Sequence, residues 1–153
     1  MHTSRPVDPL LQSTLLINLA KSTDSNTSLC LLAESCRLID NYGPCSNQSD
    51  PHQHQQWLFA RARAHFELAG AYLRVGEVTQ AESEARFTVE IADNFLKKRT
   101  RSQPKSPTSE LDKKSDDEWR GFLREALDLL ANTLKARGLD RLAELTLIRK
   151  EKV

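Results

Sequence analysis

The residues best suited to chemistry open the stretch "CSNQSDPHQHQQW" at 45–57, where Cys45, His52 and His54 are all metal-ligand types. Their spacing argues against a site. Short zinc motifs bring ligands in pairs such as C-x₂-C and H-x₃₋₅-H, whereas H-x-H at a helix start turns its two rings about 200° apart. No metal is expected. Glu82, Glu84, Glu90 and Asp93 gather acids along one segment, the pattern of the solvated face of an amphipathic helix. Gly-rich phosphate loops, nucleophile elbows and paired acids in a marked pocket are missing from the sequence, so neither catalysis nor a cofactor is expected.

The segment "KKRTRSQPKSPTSELDKKSDD" at 97–117 carries a different chemistry. Lys97, Lys98, Arg99, Arg101 and Lys105 follow one another with no acid among them, and Ser, Pro and Thr come next. Such a composition buries too little apolar surface to offset the entropy of ordering, so a disordered basic insert is expected at about 99–115. Lys98-Arg99-Thr100-Arg101 fits a short nuclear-import pattern. Ser106-Pro107 fits a proline-directed phosphorylation site, which would add about −2 charge beside the basic run. Lys and Arg here could meet phosphates, but the insert has no aromatic residue for stacking on bases, so nucleic acid is not the expected partner.

The whole chain of 153 residues has a net charge of +1, acidic before the insert and basic from it onward. That balance sets up no field directed at nucleic acid or an anionic membrane. No run approaches the roughly 18 apolar residues of a membrane span, and "MHTSRPVDPLLQS" lacks the apolar core and cleavage site of a secretion signal. Cys30, Cys36 and Cys45 are an odd set at irregular spacing, which argues against a disulfide framework. A cytoplasmic or nuclear protein without membrane partners is expected.

The elements that must position any site follow from the punctuation. All six prolines fall in three clusters, at Pro6 and Pro9, Pro44 and Pro51, and Pro104 and Pro107. Asp8-Pro9 and Asp50-Pro51 each set an acidic N-cap before a proline at the first helical position. Thr79-Gln80-Ala81-Glu82 and Ser115-Asp116-Asp117-Glu118 have the capping-box pattern. Apolar periodicity between these marks predicts helices at about 9–21, 28–42, 52–75, 78–98, 116–137 and 140–151 and no strand. In the N-terminal pair, Leu29, Leu32, Cys36 and Ile39 recur at 3–4 spacing. The expected fold is all-α: one domain over 1–153 made of three antiparallel αα-hairpins, at about 9–42, 52–98 and 116–151.

Two stretches are related. When "LAGAYLRVGEVTQAESEA" (68–85) is laid on "LANTLKARGLDRLAELTL" (130–147), Gly76 falls on Gly138, Leu68 on Leu130, Ala69 on Ala131, Tyr72 on Leu134, Ala81 on Ala143 and Ala85 on Leu147. This pattern resembles the tetratricopeptide repeat (TPR), fully over 62–95 and less well over 124–153. His65, Thr88 and Asp93 depart from it. In such a hairpin the glycine takes a left-handed C-cap, and the small residues let the helices approach closely.

The resemblance implies a TPR-like helical repeat whose ligand peptides lie in a groove on the first helix of each pair. Helical geometry then places Arg63, Phe66, Gly70, Leu73 and Arg74 on that face, with Glu125, Asp128, Asn132 and Lys135 as the equivalent residues of the last pair. Phe66 and Leu73 would supply apolar contact, and Arg74 and Lys135 would pair with carboxylates. The expected function is a non-enzymatic protein-protein interaction module that binds another protein or peptide segment, an adaptor or accessory subunit. The alternative is a nuclear regulatory or nucleic-acid-associated factor acting through the insert. "LAELTLIRKEKV" ends the chain with no polar capping helix, so self-association through the C-terminal hairpin is also expected.

Overall fold

The computed structural model describes residues 8–42, 51–102 and 110–153, and these form six helices with no strand among them. They are α1 (Pro9–Ala20), α2 (Ser25–Tyr42), α3 (Pro51–Arg74), α4 (Val78–Ser102), α5 (Glu110–Ala136) and α6 (Asp140–Glu151). Each helix packs antiparallel on its chain neighbour, so the molecule is a stack of three αα-hairpins. Beyond chain neighbours, α1 touches α3 and α3 touches α5, while the backbones of the even-numbered helices stay apart and α6 reaches α4 through Arg149 and Asp93 at 3.2 Å. The array therefore curves, with α1, α3 and α5 side by side on its concave face. No helix of the described residues is long and apolar enough to cross a membrane.

The helix starts show which local signals act. Asp8 accepts a hydrogen bond from the Leu10 N–H at 3.0 Å and Pro9 opens α1, as the sequence predicts. Asp24, which lies in the expected loop, is the cap of α2. Its carboxylate accepts from the Thr27 N–H at 2.8 Å, and the helix begins at Ser25 rather than 28. Bonds from the Thr27 side chain and backbone also hold the Asp24 carboxyl below its ordinary pKa.

Neither capping box starts a helix. Thr79 lies one residue inside α4 and Ser115 five residues inside α5. The basic insert is correspondingly shorter than expected: α4 runs through Lys97, Lys98, Arg99 and Arg101 to Ser102, and α5 is already helical at Glu110. Packing accounts for the extension. Phe95 of α4 stacks on Trp119 of α5 with centroids 4.4 Å apart, and Arg99 reaches Asp116 at 3.3 Å, so the end of α4 is held against α5. Lys105 and Ser106 lie outside the described residues, as does Cys45.

The core is built from alanines as much as from large side chains. Ala62, Ala64, Ala69 and Ala71 of α3, Ala81, Ala85 and Ala92 of α4, and Ala126, Ala131 and Ala143 are all buried. They let helix axes close to the roughly 8–10 Å that ridge-into-groove packing requires. Larger residues fill the rest in two groups. Leu32, Cys36, Ile39, Trp57 and Leu68 pack the N-terminal hairpin on α3, and Trp119, Phe122, Leu127, Leu130 and Leu134 pack α5 on α3 and α4. Every residue matched between the two related stretches is buried, half-buried or a turn glycine.

Gly76 and Gly138 take φ of 84° and 78°. In both turns the glycine N–H and the next N–H return to the last helical turn: Gly76 N to Leu73 O and Glu77 N to Tyr72 O, Gly138 N to Lys135 O and Leu139 N to Leu134 O. This is the Schellman arrangement. A Cβ added at either glycine would meet nothing within 4 Å, so only the backbone conformation demands glycine. Gly76→Ala should therefore destabilise the protein by about 1–2 kcal/mol, the left-handed penalty alone, and Gly76→Asn by less. Urea denaturation of the two variants beside the wild type checks this; equal stability of all three would contradict it.

Candidate functional site

The concave face holds a cleft of about 460 Å³ where the first halves of α3 and α5 run side by side and Thr14 of α1 closes one edge. Its floor is Phe59, Ala60 and Trp119, with Phe59 edge-on to the indole at 5.0 Å. Its rim carries Gln55, Gln56, Arg63, Lys114, Ser115 and Glu118, and Gln55 hydrogen-bonds Ser115 across it. An apolar floor ringed by a few polar groups is the common make-up of a ligand site. The rim is mixed in charge: Lys114 and Arg63 stand with Glu118, and Arg63 is itself paired with Glu67 and Glu125. The chemistry fits a peptide segment that presents an apolar side chain flanked by carbonyls or carboxylates.

Of the expected groove residues, only Arg63 borders this cleft. Its guanidinium is oriented by Glu67 at 3.6 Å and Glu125 at 3.5 Å, and it lies over the Phe66 ring. Phe66 is half-buried and packs edge-on against Phe122 at 5.5 Å. Leu73 is half-buried. Arg74 borders a separate recess of about 350 Å³ shared with Ile17, Ser28 and Leu32 of the N-terminal hairpin. Asp128 is engaged by Lys150 of α6 at 2.7 Å, while Asn132 and Lys135 are exposed.

The expected groove residues lie towards the C-terminal ends of α3 and α5, and the cleft lies towards their N-terminal ends. Reading Ser115 as a cap is what concealed it. With α5 begun at 116, Lys114 and Ser115 belong to a loop; with α5 begun at Glu110, they form the wall of the cleft.

A second constellation has almost no signal in the sequence. His65 of α3 is buried, with Nδ1 2.5 Å from Glu84 of α4 and Nε2 3.0 Å from Asp40 of α2. Arg61 donates to the same Asp40 at 2.8 Å while its guanidinium lies over Trp57 and Phe87, and the Trp57 N–H donates to the Ile39 carbonyl at 3.0 Å. Two cations and two carboxylates thus balance where three helices meet. Since each ring nitrogen faces a carboxylate, each carries a proton, and His65 is an imidazolium. Burial works against that charge, but Cys36, Glu84 and Asp40 outweigh it and raise the pKa from 6.5 to about 10.

Cys36, His65 and Glu84 are the residue types of a thiol nucleophile, a base and an orienting acid. The geometry does not suit that work. Cys36 is 4% and His65 7% exposed, burial pushes the thiol above its ordinary pKa, and neither ring nitrogen is free to accept its proton. The cluster is a structural tie. Its one sequence signal is a histidine among Ala62, Ala64 and Ala69 on a face otherwise made for close packing.

The basic run is partly engaged as well. Lys97 pairs with Asp93 at 3.0 Å, and Arg99 with Asp116.

Because the pKa of His65 is higher folded than unfolded, its stabilising contribution is complete below about pH 6.5 and is lost as pH rises through about 10. The stability difference between the wild type and His65→Gln should be on the order of 2 kcal/mol at pH 7, less than the roughly 3–5 of a fully buried pair because Asp40 and Glu84 stay partly exposed. It should shrink steadily towards pH 10. Denaturant titrations across that range measure it, and a difference independent of pH would exclude a charged His65. Comparison of the chain with protein-family models, with curated proteins and with solved structures finds no match.

Proposed function

We propose that this chain is a non-enzymatic interaction module, a TPR-like adaptor or accessory subunit that holds a segment of another protein along its concave face. The observation that carries this reading is the α3–α5 cleft, with its aromatic floor and its rim of Arg63, Lys114, Gln55 and Gln56. A segment lying there would seat an apolar side chain on Phe59 and Trp119. Its carbonyls or carboxylates would meet the rim, where a guanidinium already held by two glutamates loses little entropy on binding. The non-enzymatic reading is supported by the chemistry of the Cys36–His65 pair, whose ring nitrogens are both committed to carboxylates. A nuclear or nucleic-acid role through the basic run has less support, since Lys97 and Arg99 already pair with acids of α4 and α5.

The test is affinity capture from a cell lysate with four proteins: the wild type, Lys114→Glu, Ala60→Trp to fill the cleft, and Arg74→Glu/Lys135→Glu further along the same face. A partner held by the wild type and the last variant but weakened tenfold or more by the first two is the expected result. Loss only in the Arg74→Glu/Lys135→Glu variant would move the site to the C-terminal ends of α3 and α5. A partner kept by all four would show that the concave face is not the working surface.

A further inference from the structure

Five buried hydroxyls lie among the described residues, those of Ser13, Ser28, Ser35, Thr88 and Thr133. Four are satisfied within the fold. Ser13 and Ser35 bond each other across the first hairpin at 2.6 Å, and Thr88 and Thr133 each donate to the carbonyl four residues back. Ser28, 5% exposed near the start of α2, has no side-chain hydrogen bond within the described residues. It borders the recess of about 350 Å³ between the ends of α1 and α3, where Ile17, Ala20 and Leu32 form the apolar lining. A buried hydroxyl with no partner in the chain calls for one from outside.

Water could satisfy one hydroxyl, but two cations share the recess with it. Lys21 enters from the end of α1 and Arg74 from the end of α3, and neither makes an ion pair among the described residues. The Arg74 guanidinium is turned back along its own helix, with Nη1 3.9 Å from where a Cβ on Gly70 would stand. No acid holds it there. Among the lining residues the one carboxylate is Glu67, already engaged by Arg63 at 3.6 Å. The last carbonyls of α1 would repel an anion, but they are taken: Leu19 by the N–H and hydroxyl of Ser22, Ala20 by those of Thr23. Ser25, the first residue of α2, also lines the recess, and first-turn N–H groups have no acceptor within their own helix.

We infer that this recess binds a phosphate group. A phosphate dianion matches the two uncompensated cations in charge. Its tetrahedral oxygens accept from donors that arrive from three helices, the Lys21 ammonium of the α1 end, the Ser28 hydroxyl of α2 and the Arg74 guanidinium of α3. A carboxylate, with one charge and two oxygens in a plane, would leave one of these donors unmatched. The site is independent of the α3–α5 cleft, with which it shares no lining residue.

Amide NMR titration of the full chain with inorganic phosphate, at constant ionic strength, tests the inference. Saturable shifts are expected at Lys21, Ser25, Ser28 and Arg74, with a dissociation constant in the millimolar range. Ser28→Ala should weaken binding about tenfold, and Lys21→Gln/Arg74→Gln should abolish it. Because the Ser28 hydroxyl bonds nothing in the free protein, Ser28→Ala should resist urea at least as well as the wild type, which separates lost affinity from lost fold. Lys114→Glu, a change confined to the cleft, should bind phosphate like the wild type. A neutral peptide carrying one phosphoserine distinguishes the sources: competition with phosphate at the same amides assigns the group to a modified side chain, and binding of inorganic phosphate alone assigns it to a small free ligand. The inference is overturned if tens of millimolar phosphate produce no saturable shift, or if acetate binds the same residues as tightly. It is equally overturned by shifts that survive in Lys21→Gln/Arg74→Gln, or by a Ser28→Ala variant that unfolds more readily than the wild type.

Discussion

Everything in this array leans on α3, the helix that contacts α1, α2, α4 and α5 at once. A helix with four neighbours cannot keep a polar side of ordinary width, and its side chains must be small enough for those neighbours to approach. Ala62, Ala64, Ala69 and Ala71 meet that condition. Small residues, however, bury little apolar area apiece, so the hold on the neighbours must come from elsewhere. It comes from a few large or charged groups spaced among the alanines. Trp57 and Leu68 reach towards the N-terminal hairpin, Phe59 and Phe66 towards α5, and His65 lies between Asp40 and Glu84.

The His65 cluster follows from that geometry. Where α2, α3 and α4 converge, a carboxylate arrives from each flanking helix, and both need a counter-charge that fits a narrow space. An imidazolium offers two donors at opposite edges of a flat ring, one for each carboxylate. Arg61, spread over Trp57 and Phe87, neutralises the remaining charge from the outside. The result joins the first hairpin to the second through directed bonds that hydrophobic contact alone would not specify. A sulfur and an aromatic edge complete the enclosure, with Phe87 4.7 Å from the imidazole.

The concave face follows from the same stacking. Because the odd helices lie closer together than the even ones, their exposed sides meet at a shallow angle. A cleft opens where the side chains between α3 and α5 are set back, at Ala60. The ends of the array obey a different constraint: each terminal helix has lost the neighbour that inner helices have. In α6 the exposed apolar stripe is edged by charges and remains compatible with solvent. In α1 no charge edges it.

The sequence by itself determined the helical class, the hairpin pairing and the two glycine turns, because these rest on local physics: periodicity of 3.6, proline at a first turn, and the freedom of glycine at positive φ. It also determined the small residues at the helix contacts, Ala69, Ala81, Ala131 and Ala143, since one-sided apolar spacing marks a buried face wherever the partner lies. What only the tertiary structure decided was the extent of α4 and α5 and the chemistry of the surfaces. Arg99, Phe95 and Trp119 make their contacts across helices, and those contacts carry helix past capping signals that are sound in isolation. The cleft around Phe59 and Lys114 and the charge cluster at His65 each draw residues from separate helices. Their pairing depends on relative rotation and rise, quantities that no local signal records.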